Sequence, residues 1–259
     1  MTEPRSDWRC AIAVMAKASA PGRTKTRLVP PLTPDQAAAF NTAFLQDIAA
    51  NLMAASRAAP IAGYMAYGPP GSAAFFRRRL PAAIGLMEVW HPNFGDCLHQ
   101  TIRDLLARHD AAVVLNADSP TLPTALLVET ADWLARPGDR AVLGPAADGG
   151  YYLLGLKAPH RRMFDDIDWS TERVAAQTLA RAREIGLDVH VLPPWYDVDD
   201  AAALRRLHDE LFAGASFDPD LQPHDAVHTA DLMMALGQAA FAAHMIPASP
   251  ERIPNVGHG

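Results

Sequence analysis

Ala111-Ala-Val-Val-Leu-Asn-Ala-Asp-Ser-Pro-Thr-Leu-Pro123 is the stretch on which the reading of the fold turns. Its first five residues form a short apolar run, β-branched at Val113 and Val114, which suits a strand buried on both faces of a parallel sheet. Proline cannot continue a central ladder, so the strand ends before Pro120. Asp118 is thereby placed beyond the carboxyl end of a central strand, where open α/β sheets bind their ligands. A carboxylate there suits a hard cation carrying substrate phosphates. Aspartate also turns chains, and spacing alone leaves both readings open.

Upstream, Cys10 to Ala16 reads as a first buried strand, followed by the loop Lys17-Ala-Ser-Ala-Pro-Gly-Arg-Thr-Lys-Thr-Arg-Leu28. Arginine supplies 20 of the 23 positive charges, yet two of the three lysines, Lys17 and Lys25, lie in this loop. Lysine kept at those places suggests a need for a compact ammonium. Thr33-Pro-Asp-Gln36 reads as a capping box opening a helix, with Phe40, Phe44, Ile48 and Leu52 along its buried side. Strands are expected over Ile61 to Tyr67 and Ile84 to Trp90, and a helix after Asn93. Arg77-Arg78-Arg79 reads as the solvated end of a short helix.

Downstream, a helix is expected after Pro123, running to about Ala135, then a strand from Arg140 to Gly144. In Pro145-Ala-Ala-Asp-Gly-Gly-Tyr-Tyr-Leu-Leu-Gly-Leu156 the paired glycines permit close backbone approach to a ligand, and a strand follows. Asp148-Gly149 also suits a hairpin turn with no ligand. A helix stopping at Gly186, a strand over Leu187 to Leu192, the acidic loop Asp197-Val198-Asp199 and a helix from Asp200 complete this region. Past Gly214, His228 to Met245 reads as an apolar helix in a tail. Residues 1–213 are expected to form one domain and 214–259 a helical appendage. Alternating strands and helices give an α/β sandwich with a mostly parallel, mixed sheet.

Composition narrows the classes. A net charge of -6 argues against a nucleic-acid-binding surface. No apolar stretch approaches bilayer length and no signal-peptide pattern opens the chain, so no membrane partner and a cytoplasmic location are expected. Cys10 and Cys97 fit small core residues in a reducing compartment. His224 and His228, with Asp231, have helical metal-ligand spacing but read as solvated tail residues. A homodimer is a further expectation for the tail helix.

Three pieces converge: a cationic loop after the first strand, Asp118 after the central one, and Asp197 with Asp199 far along the chain. Two separated acidic sites at sheet edges suit one Mg²⁺ or Mn²⁺ held between them and phosphates. On these residues the chain resembles the nucleotide-diphospho-sugar transferase superfamily of GT-A fold. Within it the chain is similar to the transferase 1 family associated with radical-SAM and selenium genes. The stretches that carry the likeness are Met15-Ala-Lys-Ala with Pro21 to Leu28, Asn116 to Pro120, Gly144 to Leu156 and Asp197-Val-Asp199. The first is also similar to the 2-phospho-L-lactate guanylyltransferases, although its glycine content is reduced to Gly22.

The resemblance implies a three-layer α/β/α sandwich and a metal-dependent, nucleotide-handling transferase using Mg²⁺ or Mn²⁺. It makes Asp118 and Asp199 metal ligands with Asp197 beside them, and Lys17, Arg23, Lys25 and Arg27 a phosphate clamp. Lys25, Asp118 and Asp199 are then the catalytic residues. Asp148, Gly149 and Gly150 border the sugar or acceptor pocket, with Trp169 and Ser170 near its mouth. The four-charge loop favours nucleotidyl transfer from an NTP to a small anionic acceptor. Glycosyl transfer from an NDP-sugar is the alternative, and a non-catalytic nucleotide-binding protein a more distant one.

Overall fold

The computed structural model describes residues 8–237. Seven strands form one sheet in the order β3-β2-β1-β4-β6-β5-β7. They are β1 (Cys10–Ala16), β2 (Ile61–Tyr67), β3 (Gly85–Glu88), β4 (Ala111–Leu115), β5 (Arg140–Pro145), β6 (Tyr151–Leu156) and β7 (Asp188–Val191). All neighbours pair in parallel except around β6, which runs antiparallel to both β4 and β5. The expected mixed sheet is therefore observed, with β4 at its centre.

Period-two alternation decides which residues meet which layer. Cys10, Ile12 and Val14 of β1 and Ala111, Val113 and Leu115 of β4 pack into one apolar cluster. Helices α1 (Pro34–Ala58), α4 (Thr124–Ala135), α6 (Ala201–Phe212) and α7 (Val227–Ala235) supply the rest of that layer. Ala11, Ala13, Ala112 and Val114 face the opposite cluster, built by α3 (Phe94–Leu106) and α5 (Val174–Glu184). Small side chains on that second face let α3 lie close to the sheet. A short helix α2 (Ala73–Arg77) and two 3-10 turns, Thr26–Leu28 and Arg161–Phe164, complete the order.

The local signals act as expected. Thr33 accepts from the Gln36 amide while the Gln36 side chain accepts from Thr33 N, with Pro34 at the first helical position. Gly186, at φ 65, ends α5, and Leu187 N returns to Ala182 O. Arg77, Arg78 and Arg79 are exposed, and Cys10 and Cys97 are buried free thiols. Two edge strands are shorter than their apolar runs. β3 begins at Gly85 because Ile84 N closes a turn on Pro81 O, and β7 keeps four residues. Among the described residues no helix is long and apolar enough to cross a membrane.

In the tail, a helix runs over Val227–Ala235, and residues of the expected helix from 238 onward lie outside the described part. Its first turn is capped from another helix. Asp47 of α1, itself 1 % exposed, accepts from His228 N, Thr229 N and the Thr229 hydroxyl. Burial pushes the Asp47 carboxyl up from its usual range, against the pull of these donors. Asp47→Ala orphans three donors at once and is expected to cost about 2–4 kcal/mol, read from urea unfolding. Hydrogen exchange should then show α7 losing protection while β1 and β4 keep theirs.

Candidate active site

After β3 the chain passes through α3 to β4 on the far side of β1, so the connections leaving the carboxyl ends of the paired strands β1 and β4 part in opposite directions. That divergence is the topological switch point at which open sheets bind ligands. A cleft of about 370 Å³ lies there. Met15, Lys17, Arg23, Lys25, Arg27 and Asn41 line one side, and Asn116, Asp118, Asp199 and Phe94 line the other.

The loop from Lys17 to Arg27 is held by α1. Asn41 Nδ2 donates to Lys17 O and to Ser19 Oγ, and the Thr42 hydroxyl donates to Ser19 Oγ. Thr24 N returns to Ala20 O, and the buried Thr24 hydroxyl also donates to that carbonyl. The tail of the loop winds into the 3-10 turn over Thr26–Leu28, whose Leu28 anchors it in the core.

The second acidic segment is stitched to the first by backbone. Val198 N donates to Asp118 O at 2.8 Å, and Ser119 Oγ donates to Tyr196 O at 2.9 Å. Trp195 and Val198 are wholly buried and Tyr196 nearly so, which fixes the strip from below. Two carboxylates 81 positions apart are thereby brought to one point, and Lys25 stands at that point. Its Nζ lies 2.7 Å from Asp118 Oδ1 and 2.9 Å from Asp199 Oδ1, and donates to Val198 O at 2.8 Å. Arg27 pairs with the other oxygen of Asp199. Burial opposes charge on Asp199, yet Lys25 and Arg27 hold its carboxyl below the usual range.

Asp197 is placed differently. No basic side chain pairs with it among the described residues. Burial, then the carboxylates of Asp148, Asp199 and Asp118, push it up to about 6. Asp118 and Asp199 share one cation, whereas Asp197 stands beside that pair without joining it. Among the described residues no three acidic, histidine or cysteine side chains converge as a metal cage; that includes the spacing of His224 and His228. Two carboxylates and a carbonyl nevertheless fit the habit of Mg²⁺, which takes one or two protein carboxylates and completes its shell with phosphates and water.

Of the other residues expected at the site, Lys17 and Arg23 are exposed on the cleft with no carboxylate partner among the described residues. Asp148-Gly149-Gly150 forms the hairpin between β5 and β6, in which Gly150 N donates to Asp148 Oδ1. The turn itself is thus observed, with Asp148 close enough to act on Asp197. Trp169 reaches the cleft indirectly, edge-to-face on Phe94 with centroids 5.4 Å apart. Ser170 is exposed at φ 66, outside the cleft lining.

Two features went unread in the sequence. Phe94, 51 % exposed at the start of α3, lines both the cleft and an adjoining recess of about 260 Å³ with Trp90, which is 56 % exposed. Asn116 donates to Ser119 Oγ while its own Oδ1 has no partner among the described residues. Neither was readable in the sequence, because the fold alone brings residues 90 and 94 beside the loop at 17–28 and exposes them, and alone orphans the amide oxygen.

Comparisons with known proteins agree with this architecture. The profile of a family described as "Uncharacterized protein conserved in bacteria (DUF2064)" matches residues 51–171, a span that includes Asp118 and Asp148 but neither Lys25 nor Asp199. No curated protein matches. A solved structure from Desulfovibrio desulfuricans G20, provisionally named a nucleotide-diphospho-sugar transferase, is 24 % identical. It superposes with a TM-score of 0.75 over 92 % of this chain and 98 % of that one. A CMP:2-keto-3-deoxy-manno-octonic acid synthetase complexed with CTP gives 0.51 at 12 % identity over 80 % and 100 % of the two chains. A cytidylyltransferase from Leptospira borgpetersenii serovar Hardjo-bovis (strain JB197) gives 0.51 at 10 % over 95 % and 100 %. The chain has the α/β fold of these structures, the nucleotide-diphospho-sugar transferase fold that the motifs implied.

Proposed function

We propose that the protein is a nucleotide-handling transferase that moves a nucleotidyl group from an NTP to a small anionic acceptor, releasing pyrophosphate. One observation carries the reading: a cationic loop after β1 faces Asp118 and Asp199 across the switch point. Lys17 and Arg23, without a carboxylate partner among the described residues, take the phosphate oxygens, with the backbone loop fixed by Asn41. Trp90 and Phe94 line the apolar recess that continues from the phosphates and suit the flat face of a base. Asp118 and Asp199 would hold Mg²⁺ or Mn²⁺, which when bound neutralises charge growing on the leaving phosphates. An acceptor that is already an anion needs no proton removed, so the residues here bind and orient. Asp148 and Trp169 border the acceptor side.

A second reading has its own support. Lys25 and Arg27 are already engaged by carboxylates, which leaves Lys17 and Arg23 as the loop's cations unpaired among the described residues, enough for the diphosphate of an NDP-sugar donor. Thermal melts with NTPs and NDP-sugars, each with and without Mg²⁺ or Mn²⁺, separate the two. The first reading expects one NTP with metal to raise the melting temperature by about 4 °C or more, since a ligand held by the native state alone stabilises it. Turnover with that NTP then releases pyrophosphate. Stabilisation by an NDP-sugar, with NDP as product, establishes the second reading, and no shift with any nucleotide overturns both.

A further inference from the structure

The seat between the two acidic segments is already filled by a cation of the chain itself. Lys25 Nζ has three oxygen partners, one from each of Asp118, Asp199 and Val198, at 2.7 to 2.9 Å. Its side chain is 5 % exposed, unlike the Arg27 side chain, which is 70 % exposed. The backbone at Lys25 lies in the left-handed region, at φ 51 and ψ 40, a conformation that costs a side-chain-bearing residue about 1–2 kcal/mol. A flexible surface lysine has no reason to accept that cost. The ammonium is also packed 5.2 Å from the centre of the Phe44 ring, on the cation-attracting face of an aromatic. Two carboxylates and a carbonyl around one cation form the donor set that a hard divalent ion takes.

We infer that the ammonium of Lys25 and a divalent cation compete for this one seat, so that metal enters between Asp118 and Asp199 only as Lys25 withdraws into the phosphate cleft. This rests on the cation-site part of the function proposed above and adds to it a reason for ordered binding. Two positive charges cannot share oxygens this close, so the nucleotide-free protein binds metal weakly. Phosphates arriving in the cleft give the withdrawn ammonium a new partner, which couples metal entry to nucleotide entry. Lys25 is then a placeholder in the empty protein and a phosphate ligand in the loaded one.

The test uses Mn²⁺ alone on the full chain without nucleotide, followed by calorimetry and by the electron spin resonance of free Mn²⁺. Lys25→Met removes the ammonium and keeps the length and apolar stem of the side chain. Mn²⁺ is expected to bind this variant at least about tenfold more tightly than the wild type, because two carboxylates then face the seat uncompensated. The gain should vanish in Lys25→Met combined with Asp118→Asn. A Lys25→Met variant that holds its fold only when Mn²⁺ is present supports the competition equally. Affinity unchanged or weaker in Lys25→Met overturns the proposal, as does a variant that folds with neither ion, which makes Lys25 a fixed structural cation. Because no nucleotide is present, a gained Mn²⁺ site in a protein that binds no NTP or NDP-sugar would sink the proposed function while leaving the competition standing.

The chain also lends itself to a check on the wild-type protein. Its three lysines are Lys17, Lys25 and Lys157. Amine labelling read by mass spectrometry is expected to find Lys25 protected in the metal-free protein and exposed once Mn²⁺ is bound, with Lys157 as the unchanging control. Bound Mn²⁺ without any rise in Lys25 labelling contradicts displacement.

Discussion

Asp118→Asn is expected to lower turnover by about a thousandfold while leaving a folded protein. The substitution keeps size and shape and removes only charge. The backbone bond from Val198 N to Asp118 O persists, so the two acidic segments stay joined. Lys25 keeps Asp199 and Val198 O as partners, so the loss of stability should stay near ~1–2 kcal/mol. On the function proposed above, what disappears is one of the two negative charges that would seat a divalent cation against the phosphates, and with it the neutralisation that cation would supply to the leaving group. Pyrophosphate release gives the rate, and a thermal melt confirms the fold. Turnover within about threefold of wild type would remove Asp118 from the machinery and return it to the role of a turn residue. Asp197→Asn is the natural companion: Asp197 shares no cation with the pair, so it separates a carboxylate beside the site from one inside it.

The sheet was legible where burial on both faces left nothing but apolar residues. β1 and β4 are continuous apolar runs because each of their residues meets one of two cores. The same logic overextended β3: Val89 N still donates to Tyr67 O and its side chain packs in the core, whereas Trp90 continues the hydrophobic run past the last bond and lines the recess, 56 % exposed. The hydrophobicity of Trp90 therefore lies on an open recess rather than in the sheet. Lys25 and Asp118 were legible as chemistry, because loops after parallel strands meet at the switch point. That they would touch was not, because the contact depends on the Val198-to-Asp118 backbone bond between segments far apart in sequence. Spacing cannot choose between Asp197 and Asp199, which lie two apart on one extended strip; the register of that bond does. Asp47 is the opposite case. A carboxylate among Phe44, Ile48 and Leu52 on the buried side of α1 is an anomaly visible in the pattern, and its explanation is the capped tail helix.

The site also depends on one glycine whose replacement should be among the most damaging to the fold. Gly149 sits at φ 92, and a Cβ built there would lie 2.1 Å from Glu172 O and 2.6 Å from Glu172 Cα. The clash is with backbone, so no rotamer relieves it. The hairpin and the start of α5 are held together at this point by Ala175 N donating to Gly149 O. Gly149→Ala therefore combines left-handed strain with an overlap that must push the hairpin off α5, at about 3–5 kcal/mol. Gly22 provides the control: it has φ 71 but nothing within 4 Å of its would-be Cβ. Gly22→Ala should cost only about 1 kcal/mol, the dihedral part alone. Denaturant unfolding of both variants isolates the contribution of close approach. If the two cost the same, Gly149 is a turn residue and no more. If Gly149→Ala is several-fold worse, the hairpin is braced by α5, and Asp148 is held beside Asp197 by packing rather than by the turn.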